Sequence, residues 1–167
     1  MKTITVDNFF DNPDAIRNYG LSLEYRRRTS AEWWEGRRTQ PLSSINRGLH
    51  EHICSKVLKE YYGSVYDYEA NSFFHITTED DKKDPNWIDL KIRAHQDHIP
   101  LAAIIYLSPD APLECGTQTY KNLVPDVVMS NVYNRMIAYD GDVHHSAMDY
   151  FDTRLVALAF FSWVDRD

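Results

Sequence analysis

His95 and Asp97 stand one residue apart just ahead of the apolar run 101–107, and His144, His145 and Arg154 follow downstream. Two imidazoles and one carboxylate are the donor set of a mononuclear non-haem iron site. They occupy one face of the metal and leave its other positions for oxygen and a co-substrate. An arginine beyond that set suits an anionic co-substrate, because its planar fork grips a carboxylate through two parallel hydrogen bonds. The pattern points to a catalyst.

Strand geometry decides whether these residues meet. Alternate residues of an extended chain share a face, so His95 and Asp97 project together while Gln96 turns away. The same alternation sends His144 and His145 to opposite faces, so only one completes the set, and alternation alone leaves open which. The segments that must carry them are β-rich: 65–77, 88–94, 101–108, 116–120, 132–140 and 155–164. Most are separated by turn formers such as Asp84-Pro85, Ser108 to Asp110 and Asp140 to Asp142.

The first part of the chain reads as support. Thr3 to Val6 predicts a short strand, and Asp11 or Asn12 caps a helix that Pro13 begins and that ends near Leu23. Ile45, Leu49, Ile53 and Val57 recur every four residues behind the capping candidates Ser43 and Ser44, which predicts an amphipathic helix leaving at Gly63. Residues 26–40 hold five arginines with Trp33 and Trp34 and no periodicity, a long irregular loop closed by Pro41. Short strands behind one helical layer predict a mainly β fold with supporting helices, an antiparallel double-sheet jelly roll whose helices cover one sheet. Residues 1–167 are read as one domain, with 1–64 largely helical support and 65–167 the jelly-roll core.

With 167 residues, 43% of them hydrophobic and 13% aromatic, the chain can bury one substantial core. Its net charge of −7 offers no overall attraction to nucleic acid or to an anionic membrane, so neither is an expected partner. The opening MKTITVDNFF has no long apolar region, and no later stretch reaches the length of a membrane span. Cys54 and Cys115 form no spaced framework and read as thiols in a reducing compartment, which makes a cytoplasmic location the expectation.

The set His95-x-Asp97, distal His and Arg154 resembles the Fe(II)/2-oxoglutarate-dependent oxygenases, in particular their small prolyl-hydroxylase-like branch. Two longer stretches carry the resemblance further. AAIIYLSPDAPLECGTQTY is similar to the segment that runs from a co-substrate-binding Tyr through a turn to a Gly-containing strand, which matches Tyr106. NRMIAYDGDVHHSAMDYFDTRLVALAF is similar to the distal-ligand strand, its turn and the Arg-bearing strand. The resemblance spans roughly 71–164 and implies a double-stranded β-helix of the cupin type. It favours His145 over His144 as third ligand, because a small residue follows His145, and Arg154 stands at the family's spacing from either. It further implies Fe(II) held by His95, Asp97 and His145, 2-oxoglutarate anchored at its far carboxylate by Arg154 and Tyr106, and O2 as oxidant. The implied products are succinate, carbon dioxide and a hydroxylated small-molecule or peptidyl, conceivably prolyl, substrate. Asp97 argues against halogenation, since halogenating relatives replace that carboxylate by Gly or Ala.

Other readings compete at each place. Trp33 and Trp34 could form a stacking lip over the substrate or simply pack helices on the sheet. Segment 77–87 could be a lid or solvated acidic surface. His50, His52 and His75 read as helix-face and strand residues, and His98 as a surface or supporting residue. For the whole protein, a cupin-type isomerase or hydrolase without 2-oxoglutarate, a zinc hydrolase, or a binding module without turnover would use similar residues. Succinate formation separates the first two from the oxygenase reading.

Overall fold

The computed structural model describes residues 2–32, 34–65, 67–85, 94–148 and 152–166. Trp33, almost all of the expected strand 88–94, and residues 86 and 87 of the acidic segment lie outside the described residues.

Among the described residues, ten strands form two antiparallel sheets. The larger contains β1 (Thr3–Val6), β8 (Met136–Tyr139), β5 (Leu101–Tyr106), β10 (Thr153–Asp165), β4 (Asp67–Thr78), β3 (Arg37–Arg38) and β2 (Arg26–Arg27), in that spatial order. The smaller contains β7 (Val124–Met129), β6 (Thr117–Lys121) and β9 (His144–Ala147), again in spatial order. This is the double-stranded β-helix expected from the sequence. Non-consecutive neighbours such as β5, β10 and β4 build the large sheet from distant parts of the chain.

Side-chain alternation gives the large sheet two working faces. Leu101, Ala103 and Ile105 of β5, with Leu155, Ala157, Ala159 and Phe161 of β10, face the helices α1 (Pro13–Leu21) and α3 (Arg47–Tyr62), where they meet Ile53, Val57 and Phe74 in one core. Gly20 of α1 lies so close to Phe74 that a Cβ there would sit 2.8 Å from its ring. Each fully buried Leu, Ile, Val or Phe side chain of this layer stabilises the fold by about 1.5–3 kcal/mol. The intervening residues Ala102, Ile104 and Tyr106 of β5 and Val156 and Leu158 of β10 face the other way. They form a second cluster with Met129 of β7 and Val143 beside β9. That second cluster floors the space between the sheets.

Three local expectations need correction. The predicted long helix is interrupted: α2 (Leu42–Ile45) stops at Asn46, whose side chain, rather than Ser43 or Ser44, caps α3 by accepting from the Leu49 N–H at 3.1 Å. Segment 26–40 is not wholly irregular, since β2 and β3 pair with each other and β3 pairs with β4. Two-residue strands have no periodicity to read, and the edge of β4 supplies their partner. β7 lies outside the expected β-rich segments, and its internal Pro125 is tolerated because β7 is an edge strand. Among the described residues no helix is long and apolar enough to cross a membrane.

Candidate metal centre

His95 and His145 sit directly opposite each other as an isolated antiparallel bridge. The His95 N–H donates to the His145 carbonyl at 3.0 Å and the His145 N–H to the His95 carbonyl at 2.9 Å. Residues opposed in this way point to the same face, so the two rings converge with centroids 4.4 Å apart. Asp97, two residues along, joins them, and its carboxylate oxygens lie 3.7 Å from His95 Nε2 and 3.5 Å from His145 Nε2. One donor atom from each of His95, Asp97 and His145 falls within 4.8 Å of the others.

The backbone around Asp97 is held tightly. The Asp97 N–H donates to the Gly141 carbonyl at 2.9 Å, and a Cβ on Gly141 would stand 2.1 Å from the Ile99 carbonyl oxygen. Only glycine allows the turn after β8 to lie flush against the segment that carries His95 and Asp97. Gln96, between them, points away and donates to the Asp142 carbonyl at 2.6 Å.

The donor chemistry fits a divalent metal. His145 Nδ1 lies 2.9 Å from the Val143 carbonyl and must carry the proton to donate to it, which leaves Nε2 with its lone pair toward Asp97. Burial holds the His145 imidazole below its ordinary pKa, and His95 adds to that lowering against the opposing pull of Asp97. The 3.5 Å approach to Asp97 is therefore a neutral imidazole beside a carboxylate. Asp97 Oδ2 is buried with no hydrogen-bond partner. A desolvated carboxylate oxygen facing two imidazole nitrogens is a cation receptor, because leaving it bare is costly.

His144 faces the opposite side of β9, in register with Tyr120, whereas His145 is in register with Thr119. Tyr139 closes one flank of the cluster, its ring centroid 4.6 Å from that of His145.

On the large sheet, Arg154 and Tyr106 lie together. Arg154 is buried, its guanidinium carbon is 5.7 Å from the Tyr106 ring centroid, and its Nε has no hydrogen-bond partner. The Tyr106 hydroxyl pairs with Thr117 Oγ1 at 2.8 Å across the gap between the sheets. Burial raises the Tyr106 pKa, so the hydroxyl stays protonated and able to donate. Arg154 shares the inward face of β10 with Val156 and Leu158.

The remaining candidates divide. His50 hydrogen-bonds Ser72 at 2.8 Å and His52 stacks on Phe10, both on the helix side and away from the cluster. His98 is exposed beside Asp142. The acidic segment is pinned at Asp81, which is fully buried and binds Arg37 and Arg27 at 3.0 and 3.1 Å. Trp34 is buried, with its ring against Arg38 and edge-on to His75. The sequence marks His75 only as a strand residue and Arg38 only as one of the five arginines of 26–40. Both lie on the inward face, and the alternation Phe73, His75, Thr77 along β4 was the available signal for the first.

No protein-family model and no curated protein matches the sequence. Solved structures do match in fold. A prolyl hydroxylase from Trichoplax adhaerens, in complex with a hypoxia inducible factor peptide fragment, superposes with a TM-score of 0.65 at 11% identity, over 96% of this chain and 83% of that one. A Pseudomonas putida prolyl-4-hydroxylase gives 0.59 at 13% identity over 99% and 93%. A viral collagen prolyl hydroxylase from Paramecium Bursaria Chlorella virus-1, in complex with 2-oxoglutarate, gives 0.60 at 11% identity over 96% of both. The chain has the fold of these oxygenases.

Proposed function

We propose that the chain is an Fe(II)- and 2-oxoglutarate-dependent dioxygenase that hydroxylates a C–H bond of a small-molecule or peptidyl substrate, the whole of 1–167 acting as one domain. The observation that carries this reading is the convergence of His95, Asp97 and His145, with a bare buried carboxylate oxygen among them, in a fold shared with such enzymes. Iron, when bound, supplies the redox chemistry that couples 2-oxoglutarate decarboxylation to oxygen insertion, giving succinate and carbon dioxide.

The chain's residues would divide the work as follows. His95 and His145 offer neutral imidazole nitrogens and Asp97 a negative oxygen, all from one side, so the opposite side stays open. The Val143 carbonyl fixes the tautomer and orientation of His145. Arg154 would hold the far carboxylate of 2-oxoglutarate through its fork, with the Tyr106 hydroxyl donating beside it. Val156, Leu158 and Ile104 exclude water around the extended acid. Peptide substrates are known to this fold through the Trichoplax complex, and a peptide or a small molecule would reach the same open side.

The test is anaerobic titration of the Fe(II)-loaded protein with 2-oxoglutarate, followed by succinate measurement after oxygen is admitted. A charge-transfer absorption band and succinate are expected. Metal binding without 2-oxoglutarate binding or succinate would overturn the oxygenase reading in favour of a hydrolase or isomerase.

A further inference from the structure

Adjacent residues on β3 separate two arginines with opposite fates. Arg37 turns outward and pairs with Asp81. Arg38, in register with His75 of β4, turns to the inward face. Its guanidinium lies 4.7 Å from the Trp34 ring centroid, 5.5 Å from that of Phe160 and 5.6 Å from that of Phe73. These rings fix the guanidinium but cannot accept its N–H bonds in the plane of the fork, and its Nε is buried with no hydrogen-bond partner. Arg26, Arg27, Arg37 and Arg135 each hold a carboxylate, and Arg38 makes no such ion pair among the described residues. Buried donors are ordinarily satisfied, and a half-buried guanidinium whose Nε lacks a partner is suited to receive an anion.

We propose that Arg38 is the receptor for an anionic oxygen group, a carboxylate or a phosphate, on the substrate whose C–H bond is presented to the His95, Asp97 and His145 cluster. This rests on the oxygenase reading. Two observations place Arg38 in that space. Arg38, His75 and Val156 stand opposite one another across β3, β4 and β10, so all three face the space between the sheets, and Glu32, the acid of the neighbouring loop, is already held by Arg26. His75, beside it on β4, is buried between Arg38 and Arg154, and burial together with both positive charges keeps its imidazole neutral. Arg38 is distinct from the co-substrate anchor. Arg154 pairs with Thr77 and Arg38 with His75, on opposite sides of β4. Two inter-strand steps of nearly 5 Å put their backbones about 10 Å apart, with β4 and its His75 between them. The substrate class is then a molecule bearing its own terminal anion, rather than the uncharged interior of a peptide.

The test uses protein loaded with Fe(II) under anaerobic conditions, with and without saturating 2-oxoglutarate. Benzoate serves as the carboxylate probe, phenyl phosphate as the phosphate probe and benzamide as the neutral match. Tryptophan emission is the readout, since Trp34 lies on the guanidinium. Benzoate or phenyl phosphate should bind and benzamide should not, and whichever anion binds identifies the group. Arg38→Gln should weaken that binding by about tenfold or more, as expected for losing a charge-assisted bidentate contact. Arg38→Lys should fall between, and 2-oxoglutarate affinity should be unchanged in both. Equal binding of benzamide, anion binding unaffected by either substitution, no binding of any probe, or loss of 2-oxoglutarate in Arg38→Gln each overturns the proposal. Failure of the wild type to bind 2-oxoglutarate, with Arg38-dependent anion binding intact, instead overturns the oxygenase reading alone.

Discussion

The proposed metal ligand His145 and its neighbour His144 differ in which side of β9 they occupy, and substitution makes that difference measurable. His95→Ala, Asp97→Ala and His145→Ala should each abolish Fe(II)-dependent turnover and tight metal binding, because each removes a donor from a three-donor set. His144→Ala, on the far side of β9, should retain most of both, as judged by metal content and succinate yield. The reverse outcome at 144 and 145 would make His144 the ligand. Arg154→Ala should weaken 2-oxoglutarate binding by roughly a hundredfold or more while sparing metal binding, since breaking one side of a buried charge pair costs about 3–5 kcal/mol. Tyr106→Phe should cost less, about 1 kcal/mol, because the hydroxyl also serves Thr117. Anaerobic titration reads both effects. At this scale the site was legible wherever one residue type implies one chemistry, as at His95-x-Asp97. Arg38 was not, because it faces inward from a two-residue strand that has no periodicity to read, whereas the inward side of His75 was written in the alternation Phe73, His75, Thr77.

Elements position the site through short-range contacts that can be altered without touching a ligand. Gly141→Ala places a methyl group against the Ile99 carbonyl and must push apart the segment carrying His95 and Asp97. The expected result is metal affinity lowered by about tenfold or more, comparable to losing an orienting contact, in a protein that remains folded by circular dichroism. Asn46→Ala removes the cap of α3 and should cost about 0.5–2 kcal/mol in denaturant unfolding. Because α3 packs on the helix-facing side of the large sheet, 2-oxoglutarate affinity should be unchanged. The strands most visible in the sequence were β5, buried throughout, and β10, buried from Arg154 to Ala159, whose apolar runs exceed any turn signal. β2, β3 and β9 were obscured because their pairing partners, rather than their own composition, make them strands.

Across the whole molecule, the proposed co-substrate would span the two sheets. His95, Asp97 and His145 belong to the side of the small sheet, whereas Arg154 and Tyr106 belong to the large one. Metal and 2-oxoglutarate together should therefore raise the melting temperature more than either alone. At a hundredfold excess over its dissociation constant, a ligand that binds only the folded state adds about 2.7 kcal/mol. Asp97→Ala should erase the cooperative part of that rise, as read by differential scanning calorimetry. The same architecture governs when the centre can first exist. His95 and Asp97 leave the ribosome well before His145, and the two hydrogen bonds that pair His95 with His145 close a long loop of chain. A nascent polypeptide thus carries an incomplete donor set until His145 of β9 is synthesised. A metal that needs all three donors could then be held only once His145 has paired with His95.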